Sequence, residues 1–111
     1  MIKGDIGLFE LPHQGGHEQE GMRPAIIVSC QNNCNHNMLM VIPVTSNLSA
    51  NRYPNTIELI PSPENGLTKP SIALIFQLRS ISKNRFKKHI GKLSLQDLNY
   101  INSNMKALLQ I

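Results

Sequence analysis

The apolar pattern of this chain has two periods, and the point where one replaces the other most restricts the fold. Up to about residue 81 the apolar residues gather in runs of strand length. Asp5 to Leu11 reads as a first strand, ended by Pro12; AIIVS follows Arg23-Pro24; Met38 to Val44 is a further run. Thr56 to Ile60 alternates, Ser71 to Phe76 is apolar again, and Gln77 to Ile81 continues it after a bend. A continuous apolar run of this length predicts a strand buried on both faces, and alternation predicts a half-buried one. The polar stretches 13–22, 30–37 and 45–55 read as loops. Pro61, Pro63, Asn65 and Gly66 mark a turn.

After Ser94 the period becomes helical. Leu95, Leu98, Ile101, Met105, Leu108 and Leu109 recur on one face, with Asn99, Asn102, Asn104 and Lys106 largely on the other. Ser94 supplies an N-cap hydroxyl with Asp97 three residues on. The spacing predicts a helix from about Leu95 to about Leu109. Five or six short strands and one terminal helix suggest a mainly β fold, a small curved barrel with the helix packed on it. A chain of 111 residues has room for one core, so 1–111 reads as a single domain.

Composition excludes several classes. No apolar run approaches the ~20 residues that span a bilayer, and the N-terminus MIKGDIGLFELP lacks a signal-peptide pattern, so a cytoplasmic location is expected. Eleven Lys plus Arg against seven Asp plus Glu give +4, an excess that permits a phosphate-bearing partner without demanding one. Cys30, Cys34 and His36 lie close together, but His13, His17 and His89 show no ligand spacing. The reading is therefore of two ordinary thiols, with no metal and no cofactor. Serine-hydrolase, phosphate-loop and dinucleotide motifs are absent.

What remains is polar material next to buried strands. Arg23 stands where the loop GHEQEGMRP becomes a strand. A guanidinium held there suits bidentate contact with a phosphate, and it suits equally a surface pair with Glu18 or Glu20. Thr45-Ser46 follows the strand ending at Val44, where hydroxyls either donate to a phosphate oxygen or start a turn. Gln77 and Arg79 lie in or beside the late strand. Arg79 either faces the same surface as Arg23 or is solvated. KNRFKKH, residues 83–89, sets Phe86 among Lys83, Arg85, Lys87, Lys88 and His89. Such a run fits a nucleic-acid footprint and also a solvated loop. Of the few aromatics, Tyr53 in the polar loop is the best base-stacking platform.

In order and spacing, these segments resemble the MazF/PemK (Kid) toxins of type II toxin–antitoxin modules. The resemblance rests on GDIGLFEL at 4–11, GHEQEGMRPAIIVS at 16–29, PVTS at 43–46, GLTKPSIALIFQLRSI at 66–81 and GKLSLQDL at 91–98. The Glu-Gln, Gly and Arg-Pro segment is its most specific part. The resemblance implies a small SH3-like barrel with a C-terminal helix, working as a homodimer. It implies a metal-independent endoribonuclease that cuts single-stranded RNA at short sequences, leaving a 2′,3′-cyclic phosphate and a 5′-hydroxyl. The implied partner is a cognate antitoxin whose acidic, flexible segment blocks the RNA groove.

Residue by residue, the resemblance makes Arg23 the catalytic arginine and Thr45 its hydroxyl partner, with Ser46 beside it. The loop acid matches Glu18, followed by Gln19; the late-strand pair matches Gln77 and Arg79. Arg85, Lys87 and Lys88 would steer the RNA backbone. Two positions depart from the pattern: His17 replaces a common Ser, and Phe76 stands where many members carry an acid that transfers a proton. A guanidinium stays protonated at neutral pH, so the general base falls to Glu18 or His17. Two rivals share the fold class: a toxin of the CcdB type that binds DNA gyrase without catalysis, and an RNA-binding domain that has lost cleavage.

Overall fold

A computed structural model of the chain describes residues 2–12, 16, 21–29 and 37–111. Among these residues seven strands precede one helix: β1 (Asp5–Leu11), β2 (Gly21–Ile27), β3 (Met38–Thr45), β4 (Thr56–Leu59), β5 (Ser71–Leu74), β6 (Arg79–Ser82), β7 (Phe86–Lys92) and α1 (Leu95–Leu109). All pairings are antiparallel, in the order β4-β5-β3-β2-β1-β7, with β6 also beside β3. The mainly β architecture with a C-terminal helix is the expected one. Among the described residues the curled sheet is not closed, since β4 and β7 do not pair.

The apolar runs are continuous because the sheet has a core on each side. Ile6, Ile26, Ile42 and Val44 point to one face, where they meet Ile57, Leu59, Ala73, Leu93 and Ile101. Phe9, Ala25, Ile27, Leu39 and Val41 point to the other, inside the curl, with Leu11 and Ile81. Successive residues along Ala25–Ile27 and Val41–Val44 therefore alternate between two dry environments, and neither side selects for polar residues there.

Helix α1 covers the first of these cores. Ser94 caps it as expected: its hydroxyl accepts the Asp97 N–H at 3.1 Å. Leu98, Ile101, Met105 and Leu108 pack against the core. Leu95 and Leu109, expected on the same face, are exposed. They are the first and last residues of the helix and lie outside the stretch that meets the sheet. No helix among the described residues is long and apolar enough to cross a membrane.

β7 is absent from the strands that the apolar pattern predicts. Its sequence FKKHIGK is mostly polar, and it forms because β1 presents it with an unpaired edge. Two shifts of register leave Lys87 and Ile90 outside the one-to-one pairing. Bulges and lysines are what an edge strand tolerates best, since both discourage further strand addition. Phe86 is half-buried and packs against the core inside the curl, with its ring edge-on to Phe9 at 5.4 Å. Neither ring is a free stacking surface.

β2 begins earlier than its apolar run. Residues 21–24 pair with β1 alone, from Leu11–Gly21 to Leu8–Pro24, and the β2–β3 ladder starts only at Ala25–Pro43. Pro24 and Pro43 both lack an N–H at the end of that ladder, which removes donors where the strands would otherwise continue together. On its other edge β3 holds two partners in turn: β6 along Met38–Val41 and β5 along Val44–Thr45. Between β5 and β6, Ile75–Gln77 form a single 3₁₀ turn. This is the bend expected after Phe76, and it begins two residues earlier, at Ile75, so β5 ends at Leu74.

Candidate functional site

The elements converge at the C-terminal end of β3. Thr45 is only 7% exposed and pairs with Ile72 of β5. Its Oγ1 accepts the backbone N–H of Asn47 at 3.1 Å. The oxygen being engaged in this way, the hydroxyl hydrogen is available to donate. The chain then makes a 3₁₀ turn, Leu48–Arg52, capped by Asn47, whose Oδ1 accepts from Ser49 N. This turn lies within the stretch expected to be irregular.

The 3₁₀ turn on one side and the Ile75–Gln77 turn on the other enclose a cleft of about 390 Å³. Of the residues singled out in the sequence, Thr45, Tyr53 and Gln77 line it. Phe76, singled out only as a departure from the pattern, lines it too, together with Asn47, Ser49, Ala50, Arg52 and Leu74. The Tyr53 and Phe76 rings are 5.4 Å apart between centroids and inclined at 49°. Arg52 reaches over Tyr53, its guanidinium carbon 4.7 Å from the ring centre and Nη2 donating to the phenol oxygen at 2.9 Å. No sequence spacing links Tyr53 to Phe76; the β4–β5 ladder, ending at Thr56–Leu74, and beside it the Phe76 N–H donating to Asn55 O at 3.3 Å join their segments.

Arg23 does not line this cleft. It is exposed on β2, opposite Phe9 of β1. Carried past Ala25–Pro43, the β2–β3 register sets Arg23 opposite Thr45, although the ladder itself has ended. Alternation puts Arg23 on the face of Ala25 and Ile27, and Thr45 on the face of Val41 and Pro43, which is the same face of the sheet. A guanidinium and a hydroxyl donor thus stand on facing strand ends with an interrupted ladder between them. Such a pair can receive an oxyanion from two sides.

The other candidates are distributed differently. Ser46 is exposed just beyond β3. Arg79 is half-buried, pairs with Val41, and donates from Nη2 to Pro12 O at 3.1 Å, tying β6 to the end of β1. Arg85 faces Glu10 across 3.6 Å. Lys87 and Lys88 lie on β7, three places from β3 in the sheet order. Glu18, His17 and Gln19, with Glu20, fall outside the described residues, as do His13, Cys30, Cys34 and His36. Among the described residues no three His, Cys, Asp or Glu side chains gather as metal ligands would.

Comparison with known proteins places the chain in a family. The model for the PemK-like, MazF-like toxin of type II toxin-antitoxin system matches residues 2–109. The endoribonuclease MazF9 of Mycobacterium tuberculosis is 30% identical over 117 aligned positions, which cover 100% of this chain and 98% of that protein. The crystal structure of MazF from Deinococcus radiodurans is similar with a TM-score of 0.82 and 26% identity, covering 100% of this chain and 97% of the other. A MazE–MazF structure from the same organism gives 0.75 and 25%, covering 100% and 96%. The chain belongs to the PemK-like, MazF-like toxins of type II toxin–antitoxin systems.

Proposed function

We propose that this MazF-like toxin endoribonuclease cuts single-stranded RNA at short sequences without a metal, leaving 2′,3′-cyclic phosphate and 5′-hydroxyl ends. The observation that carries the reading is the placement of Arg23 and Thr45 on one face of facing strand ends, beside a cleft with aromatic and amide walls. The names of the relatives, an endoribonuclease and a MazE–MazF structure, support it.

In the proposed reaction the 2′-oxygen attacks the adjacent phosphorus. The O2′–P bond forms, the P–O5′ bond breaks, the 2′ proton passes to a base and O5′ gains a proton. Charge on the equatorial oxygens rises toward the transition state, so donors that meet it there lower the barrier. Arg23 supplies a fixed positive charge and the Thr45 hydroxyl a hydrogen bond. One such donor is worth about 3 kcal/mol. Phe76 supplies no proton-transfer group, so the base is Glu18 or His17. Gln19, Ser46, Gln77 and Arg79 hold the strand near the site, and Arg85, Lys87 and Lys88 steer its backbone.

The same reading includes a homodimer of single-domain chains, a cytoplasmic location, and an antitoxin whose acidic flexible segment covers the RNA site. The test is incubation of the purified chain with long single-stranded RNA in chelator, followed by mapping of the cut ends. Cuts ending in cyclic phosphate are expected. Binding without cuts would reject cleavage and favour a degenerate RNA-binding domain. Neither cuts nor binding, together with inhibition of gyrase, would favour the gyrase-directed rival.

A further inference from the structure

We propose that Asn47, Arg52, Tyr53 and Phe76 form a pocket, beside the Thr45 hydroxyl, for one unpaired uracil or guanine, read at the keto oxygen that stands where cytosine or adenine carries an amino group. The proposal rests on the reading of the chain as an RNA-cleaving enzyme and names the base-reading part of that site.

The walls suit a flat aromatic ligand. Tyr53 is 44% exposed and Phe76 38%, so both rings offer surface to the cleft. Their 49° inclination keeps them from closing on each other as a parallel stack. Arg52 holds Tyr53 through its hydroxyl and its ring together, which reduces the freedom lost when a base stacks. The volume of about 390 Å³ falls in the range of small-molecule sites, roughly 300–1,000 Å³.

The selectivity comes from Asn47. Its Oδ1 accepts two hydrogen bonds, from Ser49 N at 3.2 Å and from Ser49 Oγ at 2.8 Å. Only an oxygen can accept from that N–H, so the 3₁₀ cap itself decides which end of the amide is which. The backbone N–H of Asn47 is likewise engaged, by Thr45 Oγ1. What the residue offers the cleft is therefore Nδ2, a donor without an acceptor. A donor alone favours the keto oxygen of uracil or guanine over the amino group that cytosine carries in the same place. The hydrogen bond from the Asn47 backbone N–H to Thr45 Oγ1 also holds the base-reading residue next to the hydroxyl proposed to meet the phosphate.

The test uses 2′-O-methyl oligo(U) and 2′-O-methyl oligo(C), which lack the attacking hydroxyl, with affinity read by fluorescence anisotropy. The parent protein is expected to prefer oligo(U) by at least ~5-fold. Asn47→Asp keeps the cap, because Asp serves as well as Asn there, but turns the donor into an acceptor. It should lower or reverse the U-to-C ratio with an unchanged melting temperature. Tyr53→Ala should weaken both oligomers by about 10-fold and keep the ratio. Equal affinities in the parent, no binding of either oligomer, or an unchanged ratio in folded Asn47→Asp would overturn the proposal. If Asn47→Asp fails to fold, Tyr53→Ala decides, and a loss below ~2-fold overturns it. A base preference without cleavage of RNA would sink the enzymatic reading and leave the pocket. Cleavage without a base preference would sink the pocket alone.

Discussion

The ring of Phe86 lies directly over Gly7, where a Cβ would come within 2.6 Å of it and within 3.1 Å of the Phe9 ring. The contact joins β7 to β1 by packing as well as by hydrogen bonds. Gly7→Ala should therefore destabilise the chain by about 1–3 kcal/mol, the usual cost of forcing an extra methyl into a packed core. Urea denaturation checks this, and a midpoint equal to the parent's would show that β7 yields without cost.

Arg23 lies on the exposed end of β2, so its removal should leave the fold intact. Arg23→Ala is expected to lower RNA cleavage at least ~100-fold, which is what loss of one oxyanion donor costs. Arg23→Lys should recover only part of it, since an ammonium cannot hold two phosphate oxygens in the planar fork. Initial cleavage rates on a defined RNA, with melting curves beside them, make the measurement. Near-parental cleavage by Arg23→Ala rejects the assignment.

Thr45 is predicted to have two separable roles. Thr45→Val keeps the shape but removes both the acceptor for Asn47 N–H and the hydroxyl donor. It should cost about 1 kcal/mol of stability and at least ~10-fold in cleavage. Thr45→Ser retains the hydroxyl and should cleave within a few-fold of the parent. If Val and Ser variants cleave alike, the hydroxyl has no part in the reaction.

The lysines of β7 are predicted to act through charge alone. Reversing Lys87 and Lys88 to Glu should weaken RNA binding and reduce the slope of log affinity against log salt. Arg85→Ala should have a smaller effect, because its guanidinium already faces Glu10 at 3.6 Å. A salt titration of binding distinguishes the two. An affinity unmoved by the double reversal would leave these lysines as guards of an edge strand only.

Much of the fold was legible in the residues. β1 and α1 have the limits that their periodicity and caps predict, because each is bounded by local signals: Pro12 after β1, Ser94 before the helix. β7 was not legible. Nothing in FKKHIGK marks a strand, and its existence depends on β1 having a free edge. For the same reason Phe86, which stands among basic residues in the sequence, packs against the core in space. Of the site, the family signature pointed to Arg23, Thr45 and Gln77. It passed over Asn47 and Arg52 and counted Phe76 only as a missing acid.

By itself the sequence determined where the helix and the strands other than β7 form, which runs are apolar, and which family the chain resembles. These properties rest on near neighbours: periodicity, caps and proline positions. Only the tertiary structure decided that Phe76 meets Tyr53 across a cleft and that Arg23 and Thr45 share a face. Those relations depend on long-range register, above all on the β2–β3 ladder ending at Pro43 while β3 exchanges β6 for β5 along its other edge, and no local pattern encodes that exchange.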